Sequence, residues 1–156
     1  MKDGDIIQTA HVVRDLDATM RCYWETFGIG PWEVYTFGAP AVRDSMVRGK
    51  PSTHTYLLAV TWLADVQLEL MQPLTGRSIY DEHLERKGEG LHHLKLYFKD
   101  CHAALERFRA KGISVIQSGK IDADEFYYLD SEKALGYVIE VGNNGKIRPP
   151  ERRYPA

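Results

Sequence analysis

Four polar residues stand out in segments that otherwise have the apolar character of buried strands. Gln8 and His93 lie near the starts of two such segments, and Glu69 and Glu140 lie inside two others. One imidazole, two carboxylates and an amide oxygen suit a divalent cation and leave coordination positions open for substrate or water. These residue types therefore predict one catalytic divalent metal, with Mn, Fe, Co, Ni, Zn and Mg all remaining open.

The four residues occupy related positions in an internal repeat. The segment that begins at Gln8 aligns with the one that begins at His93, and each contains an acidic helix cap, Asp15 or Asp100, before an amphipathic helix that ends near a glycine. Three β-type segments follow each helix. They span 32–37, 54–62 and 66–72 in the first copy and 113–117, 125–129 and 137–142 in the second. The repeat predicts an α+β fold of two βαβββ modules.

We expect a single domain over residues 1–156. Module one spans 6–74, a linker spans 75–89 with a short helix that opens at Ser78, and module two spans 90–143. The tail, 144–156, contains much proline and arginine and is expected to be an irregular surface extension.

Each candidate ligand has a simpler interpretation when taken alone. Glu69 and Glu140 could be ordinary outward-facing strand residues, and only their pairing in the repeat reverses that preference. His92 and His93 adjoin, so strand alternation sends them to opposite faces, and the repeat selects His93 as the ligand. His11 lies three residues from Gln8 and therefore on the other face, where it is expected to be a core or helix-facing residue. A ligand role for His11 is the alternative.

Other residues could bind substrate or move protons. His54 and Tyr56 share one strand face and could form a proton-transfer pair, although half-exposed polar strand residues are more common. Arg43 lies in the segment 38–51, which reads as an irregular solvated loop or as a clamp for an anionic substrate. Aromatic residues in the predicted strands could line a pocket, although Tyr128 could also simply pack in the sheet. The aromatic candidates are Trp32, Tyr35, Phe37, Trp62 and Tyr128.

Composition favours a small-molecule partner. Lys and Arg total 20 against 22 Asp and Glu, and the net charge of −2 provides no electrostatic footprint for nucleic acid or anionic lipid. The sequence contains no apolar stretch typical of a signal peptide or a membrane span, which predicts a cytoplasmic protein. Cys22 and Cys101, the only cysteines, are expected to be free thiols.

Four segments together resemble the vicinal oxygen chelate superfamily, which includes glyoxalase I, methylmalonyl-CoA epimerase, extradiol dioxygenases and bleomycin-resistance proteins. The likeness covers residues 6–142 and rests on VVRDLDATMRCYWETFGIGPW, LELMQPL, GEGLHHLKLYFKD and GYVIEV. It implies an incomplete eight-stranded cupped barrel, with one metal ligand from the first and last strand of each module, and a homodimer. Carried onto this chain, those ligands are Gln8, Glu69, His93 and Glu140, the same four that alternation selects.

The sequence departs from the superfamily in two places. The usual first ligand is histidine, and Gln8 stands there. The epimerase also uses a carboxylate on the strand before Glu69 as a second base, and residues 51–64 contain none. His54 or Tyr56 would have to substitute for it.

The resemblance implies a metal-dependent isomerase or lyase that acts on a small carbonyl substrate, such as a 2-oxoacid or an acyl-thioester, through a metal-stabilised enolate. Glu69 or Glu140 would be the base, and His54 or Tyr56 would return the proton. The alternative is a non-catalytic protein of the bleomycin-resistance type that sequesters an aromatic or antibiotic ligand. An extradiol-type dioxygenase fits less well, since neither the histidine count nor the length agrees.

Overall fold

The computed structural model describes all residues, 1–156, as eleven strands in one curved sheet and four helices. The strands are β1 (Ile6–Val12), β2 (Trp32–Phe37), β3 (Val42–Val47), β4 (Lys50–Pro51), β5 (Thr55–Leu63), β6 (Val66–Thr75), β7 (Gly90–Tyr97), β8 (Val115–Ile121), β9 (Asp124–Leu129), β10 (Val138–Gly142) and β11 (Arg152–Tyr154). The helices are α1 (Leu16–Phe27), α2 (Ile79–Lys87), α3 (Cys101–Arg109) and α4 (Glu132–Leu135). The sheet order is β11-β2-β5-β6-β1-β7-β10-β9-β8-β3-β4, with no pairing between the two ends. The predicted α+β class with an unclosed sheet is confirmed.

The internal repeat appears as two similar strand arrangements that meet at the middle of the sheet. In each, the first strand runs parallel to the last, β1 beside β6 and β7 beside β10, and β1 and β7 pair antiparallel. Asp15 and Asp100 accept a hydrogen bond from the backbone of Ala18 and Ala103, so both predicted helix caps are present. Helix α1 ends at Gly28, whose positive φ of 66° suits glycine.

Three of the eleven strands lie in segments expected to be irregular. β3 and β4 form a hairpin in residues 42–51, and β3 pairs with β8. β11, in the tail, pairs with β2. The expectations of an irregular 38–51 loop and of an irregular tail are therefore wrong in part. β8 and β2 would otherwise expose a row of unpaired backbone N–H and C=O groups, and pairing with a distant segment satisfies these groups.

Alternation along the strands separates an inner face from an outer face. The outer face packs on helix α1, where Leu16 and Met20 are fully buried. The inner face of the curved sheet holds the largest apolar cluster, and helix α2 contributes Ile79 and Tyr80 to it. Trp32 belongs to the outer face, and its indole N–H donates to the Ile29 carbonyl. The prediction that Trp32 binds substrate is therefore wrong, because the wall of the cup is on the opposite face.

The segment 143–151, which we call the C-terminal strap, joins opposite sides of the open sheet. At one end, the Arg148 guanidinium donates to both carboxylate oxygens of Asp122, between β8 and β9. At the other end, the backbone N–H of Glu151 donates to the Val34 carbonyl, and the Glu151 carboxylate accepts from Thr36. The strap therefore crosses the opening of the cup.

The state of the cysteines and the character of the helices are also defined. Cys22 and Cys101 are both unpaired thiols, as predicted. None of the four helices combines the length and apolar character needed to cross a membrane.

Candidate functional site

A cavity of about 520 Å³ opens on the inner face of the sheet and is lined by residues of both modules and of the C-terminal strap. One group of its lining residues is polar or charged and mostly buried. We call this group the polar cluster; it consists of Gln8, Glu69, Lys95, Asp124 and Glu140. The aromatic side chains Tyr35, Phe37, Tyr56, Trp62, Phe126 and Tyr128 form much of the remaining wall.

Strand register brings the polar cluster together. Gln8 of β1 lies opposite Lys95 of β7, and Glu140 of β10 lies on the other side of Lys95. Glu69 of β6 pairs with Ala10, two residues after Gln8 and on the same face of β1. Both modules thus direct their polar strand residues to one place. The repeat predicted that residues 8, 69, 93 and 140 share a face, and in the structure Gln8, Glu69 and Glu140 line the cavity.

Lys95 and Asp124 were not identified from the sequence. The Lys95 ammonium lies 3.0 Å from Asp124 Oδ2 and 3.1 Å from Glu140 Oε1. Lys95 follows His93 by two residues and therefore shares its face of the strand, a signal that the sequence contains. Lysine is not a usual metal ligand, so the candidate ligand set does not include it.

His93 lies next to the polar cluster rather than on the cavity wall. It is completely buried, and its Nε2 lies 2.8 Å from Glu140 Oε2. His93 Nε2 thus has a close carboxylate neighbour but makes no hydrogen bond. Glu140 therefore has a different neighbour at each oxygen, His93 at one and Lys95 at the other.

A bulge in β7 changes the expected orientation of His92. Opposite β1, Ala10 pairs with His93 but the next residue, His11, pairs with Leu91, so His92 is the extra residue. The Nδ1 atoms of His92 and His93 lie 2.8 Å apart. The prediction that the two imidazoles point to opposite faces is therefore wrong, because strict alternation fails at the bulge.

The two buried glutamates differ in their electrostatic surroundings. Burial, together with repulsion from Glu140, raises the pKa of Glu69 well above its ordinary value. Burial also acts to raise the pKa of Glu140, but Lys95 and His93 outweigh it and the pKa is lowered. Burial lowers the pKa of Lys95, but Asp124 and Glu140 outweigh it and the pKa is raised. The ammonium and the Glu140 carboxylate therefore stabilise each other in charged form.

The donor atoms around the cluster fit a divalent cation. Gln8 Oε1 and His93 Nε2 are both buried without a hydrogen-bond partner, although the Gln8 amide donates to Gln67. When ionised, Glu69, Asp124 and Glu140 carry three negative charges against one positive charge on Lys95, a difference of two. No three His, Cys, Asp or Glu side chains are arranged as a metal site in this structure. The residues supply the ligand atoms and the charge that a dication requires, with Lys95 sharing Glu140.

The predicted proton-transfer pair is divided between two environments. Tyr56 lines the cavity, whereas His54 lies behind it, with its ring stacked at 5.7 Å from that of Tyr56. His54 Nδ1 is 2.8 Å from the Ser52 hydroxyl. Tyr56 therefore remains a candidate for contact with substrate, and His54 does not reach the cavity.

The predicted binding residues divide in the same way. Tyr35, Phe37, Trp62 and Tyr128 line the cavity, as expected for contact with a ligand. Arg43 does not line it, because its guanidinium donates to the Asp122 carbonyl on the outside of the β8–β9 turn. The expected clamp role for Arg43 is therefore wrong for this cavity.

Two further histidines have defined neighbours. His11 Nδ1 lies 3.4 Å from the Tyr23 hydroxyl of α1, in agreement with the helix-facing interpretation. His83 of α2 is buried, with its ring 5.1 Å from that of His92. Helix α2 packs this side chain inward, and sequence periodicity did not reveal it because the helix is short.

Acid is expected to destabilise the fold through His92. Burial, reinforced by His93, lowers the pKa of His92 well below 6.5, and its ring also faces His83, Tyr80 and Tyr128. Below about pH 6.5 the unfolded chain therefore binds a proton that the folded chain does not, so the free energy of unfolding decreases as pH falls.

Urea unfolding at pH 7.5 and 5.5, with EDTA present, tests this expectation. We expect His92→Phe to lose less stability over this interval than the wild type. The comparison isolates His92 from Glu69, whose raised pKa acts with the opposite sign. Equal losses in the two proteins would contradict the assignment.

Comparison with known proteins identifies the family of the chain. Residues 7–128 match the family described as the Glyoxalase/Bleomycin resistance protein/Dioxygenase superfamily. The chain belongs to this superfamily. The resemblance drawn from the sequence motifs is thereby confirmed. No curated protein matches this superfamily member at a significant level.

Solved structures show the same fold. A methylmalonyl-CoA epimerase in complex with methylmalonyl-CoA and NH4+ is 20% identical, with a TM-score of 0.65 over 95% of this chain and 99% of that one. A variant of the Streptomyces coelicolor methylmalonyl-CoA epimerase, in complex with 2-nitronate-propionyl-CoA, is 20% identical, with a TM-score of 0.67 over 90% and 94%. A hypothetical protein from Bacillus halodurans C-125 is 15% identical, with a TM-score of 0.61 over 96% and 99%. At these identities the likeness establishes the fold alone.

Proposed function

We propose that this superfamily member is a metal-dependent isomerase that removes and returns a proton at a carbon next to a carbonyl group. The observation that supports the proposal is the pair of buried carboxyl groups, Glu69 and Glu140, which face one cavity from the two modules. Proton transfer at such a carbon needs a base beside the C–H bond and positive charge beside the carbonyl oxygen. The polar cluster offers both.

Four side chains would hold the cation: Gln8 through Oε1, Glu69 and Glu140 through carboxylate oxygens, and His93 through Nε2. A divalent cation bound there would supply the positive charge that stabilises the developing enolate oxygen. Glu69 has no ion-pair partner, and burial makes its carboxylate more basic than an exposed one. We therefore assign Glu69 as the carboxylate that shifts from ligand to base, while Lys95 and His93 keep Glu140 ionised.

We assign Tyr56, which also lines the cavity, as the second proton-transfer group. Its side chain is almost fully buried, lines the cavity and keeps its proton, because burial and the nearby Glu69 raise the pKa of its hydroxyl. A neutral phenol can donate a hydrogen bond to substrate. The surrounding aromatic rings exclude water, which strengthens electrostatic interactions within the site.

The substrate we propose is a small carbonyl compound, either a 2-oxoacid or the acyl part of a thioester. The cavity of about 520 Å³ has the size of ordinary small-molecule sites. The acyl-thioester possibility comes from the epimerase structures, whose complexes contain methylmalonyl-CoA or 2-nitronate-propionyl-CoA. The strap crosses the opening and adds Lys146 and Arg148 to the lining, and β11 adds Arg153. Arg148 and Arg153 already pair with Asp122 and Glu33, whereas Lys146 has no carboxylate partner and suits an anionic group on the substrate.

A second candidate is a carrier that binds an aromatic ligand without reaction. The aromatic wall favours it, and Trp62 in particular remains 57% exposed while lining the cavity. Such a side chain can stack on a planar ligand. A carrier has no need, however, for two buried carboxyl groups and an ammonium in its ligand cavity, and their desolvation is costly.

Deuterium wash-in tests the proposal. The protein, supplied with MnCl2, is incubated in heavy water with pyruvate, 2-oxobutyrate, propionyl-CoA and methylmalonyl-CoA. Exchange at the carbon next to the ketone or thioester carbonyl group is followed by proton NMR. We expect exchange with at least one substrate, and its loss in Glu69→Gln. Stoichiometric binding of aromatic compounds without any exchange would favour the carrier instead.

A further inference from the structure

Lys95 is the one buried cation of the site, and the proposed reaction does not require it as a ligand or a base. Its side chain is only 9% exposed, and its ammonium lies between the carboxylates of Asp124 in β9 and Glu140 in β10. The ammonium donates to both carboxylate oxygens of Asp124, at 3.3 and 3.0 Å, and lies 3.1 Å from Glu140 Oε1. Lys95 is therefore held in place by interactions with both residues.

The neighbouring backbone is adapted to this lysine. A Cβ atom at Gly142 would lie 2.2 Å from Lys95 Cε, so a residue other than glycine would clash with the side chain. Gly142 has no need of glycine for its backbone conformation, because its φ is not in the left-handed region. The glycine thus provides room for the lysine stem beside β10.

Asp124 is fixed independently of Glu140. Its Oδ1 accepts the backbone N–H of Gly145 in the C-terminal strap at 3.1 Å, and Lys95 bonds to the same carboxylate. Glu140 has no backbone donor among its contacts; its oxygens meet Lys95 and His93. Asp124 is therefore the stationary partner of the ammonium, and Glu140 is the partner that can exchange it for another cation.

We propose that Lys95 is a built-in counterion that competes with the divalent cation for Glu140, and that Asp124 retains the ammonium when the cation binds. This inference rests on the proposed function. The positive charge of Lys95 opposes a second cation at Glu140, whereas the negative charge of Asp124 offsets Lys95 and stabilises the loaded site. The pair Lys95–Asp124 thus sets how tightly the site holds its cation.

The proposal predicts shifts of opposite sign in two variants. With EDTA-stripped full-length protein at fixed pH and ionic strength, MnCl2 affinity is measured by isothermal titration calorimetry. We expect Lys95→Met, which keeps the length of the apolar stem, to bind Mn²⁺ at least about tenfold more tightly than the wild type. We expect Asp124→Asn to bind it at least about tenfold more weakly, because Lys95 then stays on Glu140.

Glu125→Gln is the matched control. Glu125 neighbours Asp124 in β9 but faces the outer side, where its carboxylate accepts the Tyr127 hydroxyl. Its removal changes the net charge by the same amount as Asp124→Asn, so a general field effect would shift both variants alike. We expect less than about a threefold change for Glu125→Gln. Lys95→Gln, which keeps an amide donor for Asp124, replaces Lys95→Met if the latter fails to fold.

The outcomes distinguish the proposed competition between Lys95 and the cation from the proposed isomerase reaction. Tighter Mn²⁺ binding in Lys95→Met together with weaker binding in Asp124→Asn supports the competition, even if no substrate exchanges deuterium. Weaker binding in Lys95→Met would overturn it, because Lys95 would then be positioning Glu140 for the cation. Metal-dependent exchange with unchanged Mn²⁺ affinity in both variants would uphold the proposed function and overturn only this inference.

Discussion

Glu140→Gln is expected to lower both divalent-cation affinity and the rate of α-deuterium exchange by at least about a hundredfold. Loss of a residue that merely orients a metal ligand already costs about ten- to a hundredfold in affinity or activity, and Glu140 is proposed as a ligand itself. The substitution also removes one of the negative charges that offset the cation, while Lys95 keeps its own partner in Asp124. The glutamine is close to isosteric, so the cavity should keep its shape.

Calorimetry with MnCl2 and the NMR exchange assay measure the two effects. Glu132→Gln is a suitable control, because Glu132 pairs with Arg86 and Lys87 at the surface, away from the cavity lining. A Glu140→Gln protein that folds and binds Mn²⁺ within about threefold of the wild type would remove Glu140 from the ligand set.

Trp32→Ala and Trp62→Ala are expected to have effects of different kinds. Trp32 is fully buried between the sheet and α1, so its truncation should lower the free energy of unfolding by about 3–5 kcal/mol. Trp62 is 57% exposed at the cavity, and its truncation should change that free energy by only about 0.5 kcal/mol. Only Trp62→Ala should weaken the binding of a ligand that occupies the cavity.

Urea unfolding monitored by circular dichroism measures the first difference, and ligand titration of the folded proteins measures the second. Trp62→Phe is the conservative control, because it keeps an aromatic face for stacking. A large loss of stability in Trp62→Ala with little change in Trp32→Ala would show that the assignment of the two indoles to the two faces of the sheet is wrong.

The parts of the fold that depend on local pattern could be predicted from the sequence. The capped helices after Asp15 and Asp100 follow from short-range signals, and the same signals place the strands before and after them. The short helix that opens at Ser78 was predicted in the same way and is α2. Matching positions in the two copies then identified Gln8, Glu69 and Glu140 as residues of one face.

The errors arise where distant parts of the chain decide the outcome. β3 pairs with β8, and β11 pairs with β2, across long stretches of sequence. No local pattern specifies these pairings, because each depends on which sheet edge lacks a partner. The segment 42–51 and the tail therefore looked irregular.

His92 and Lys95 show a second reason why the site could not be fully predicted from the sequence pattern. Alternation assigned His92 to the wrong face, because a single extra residue in β7 reverses the parity that the argument requires. Lys95 was accessible to the same argument, since it is two residues from His93. Its importance depends on Asp124, which a turn in the second module brings within 3.0 Å.

We propose that Gln8, Glu69, His93 and Glu140 hold a divalent cation beside Lys95. Anomalous diffraction from crystals soaked in MnCl2 tests it most directly. We expect one anomalous peak at metal–ligand distance from these four side chains, with the Lys95 ammonium bonded to Asp124 and no longer to Glu140. Absence of a peak there at saturating MnCl2, with Lys95 still bonded to both Glu140 and Asp124, would contradict it.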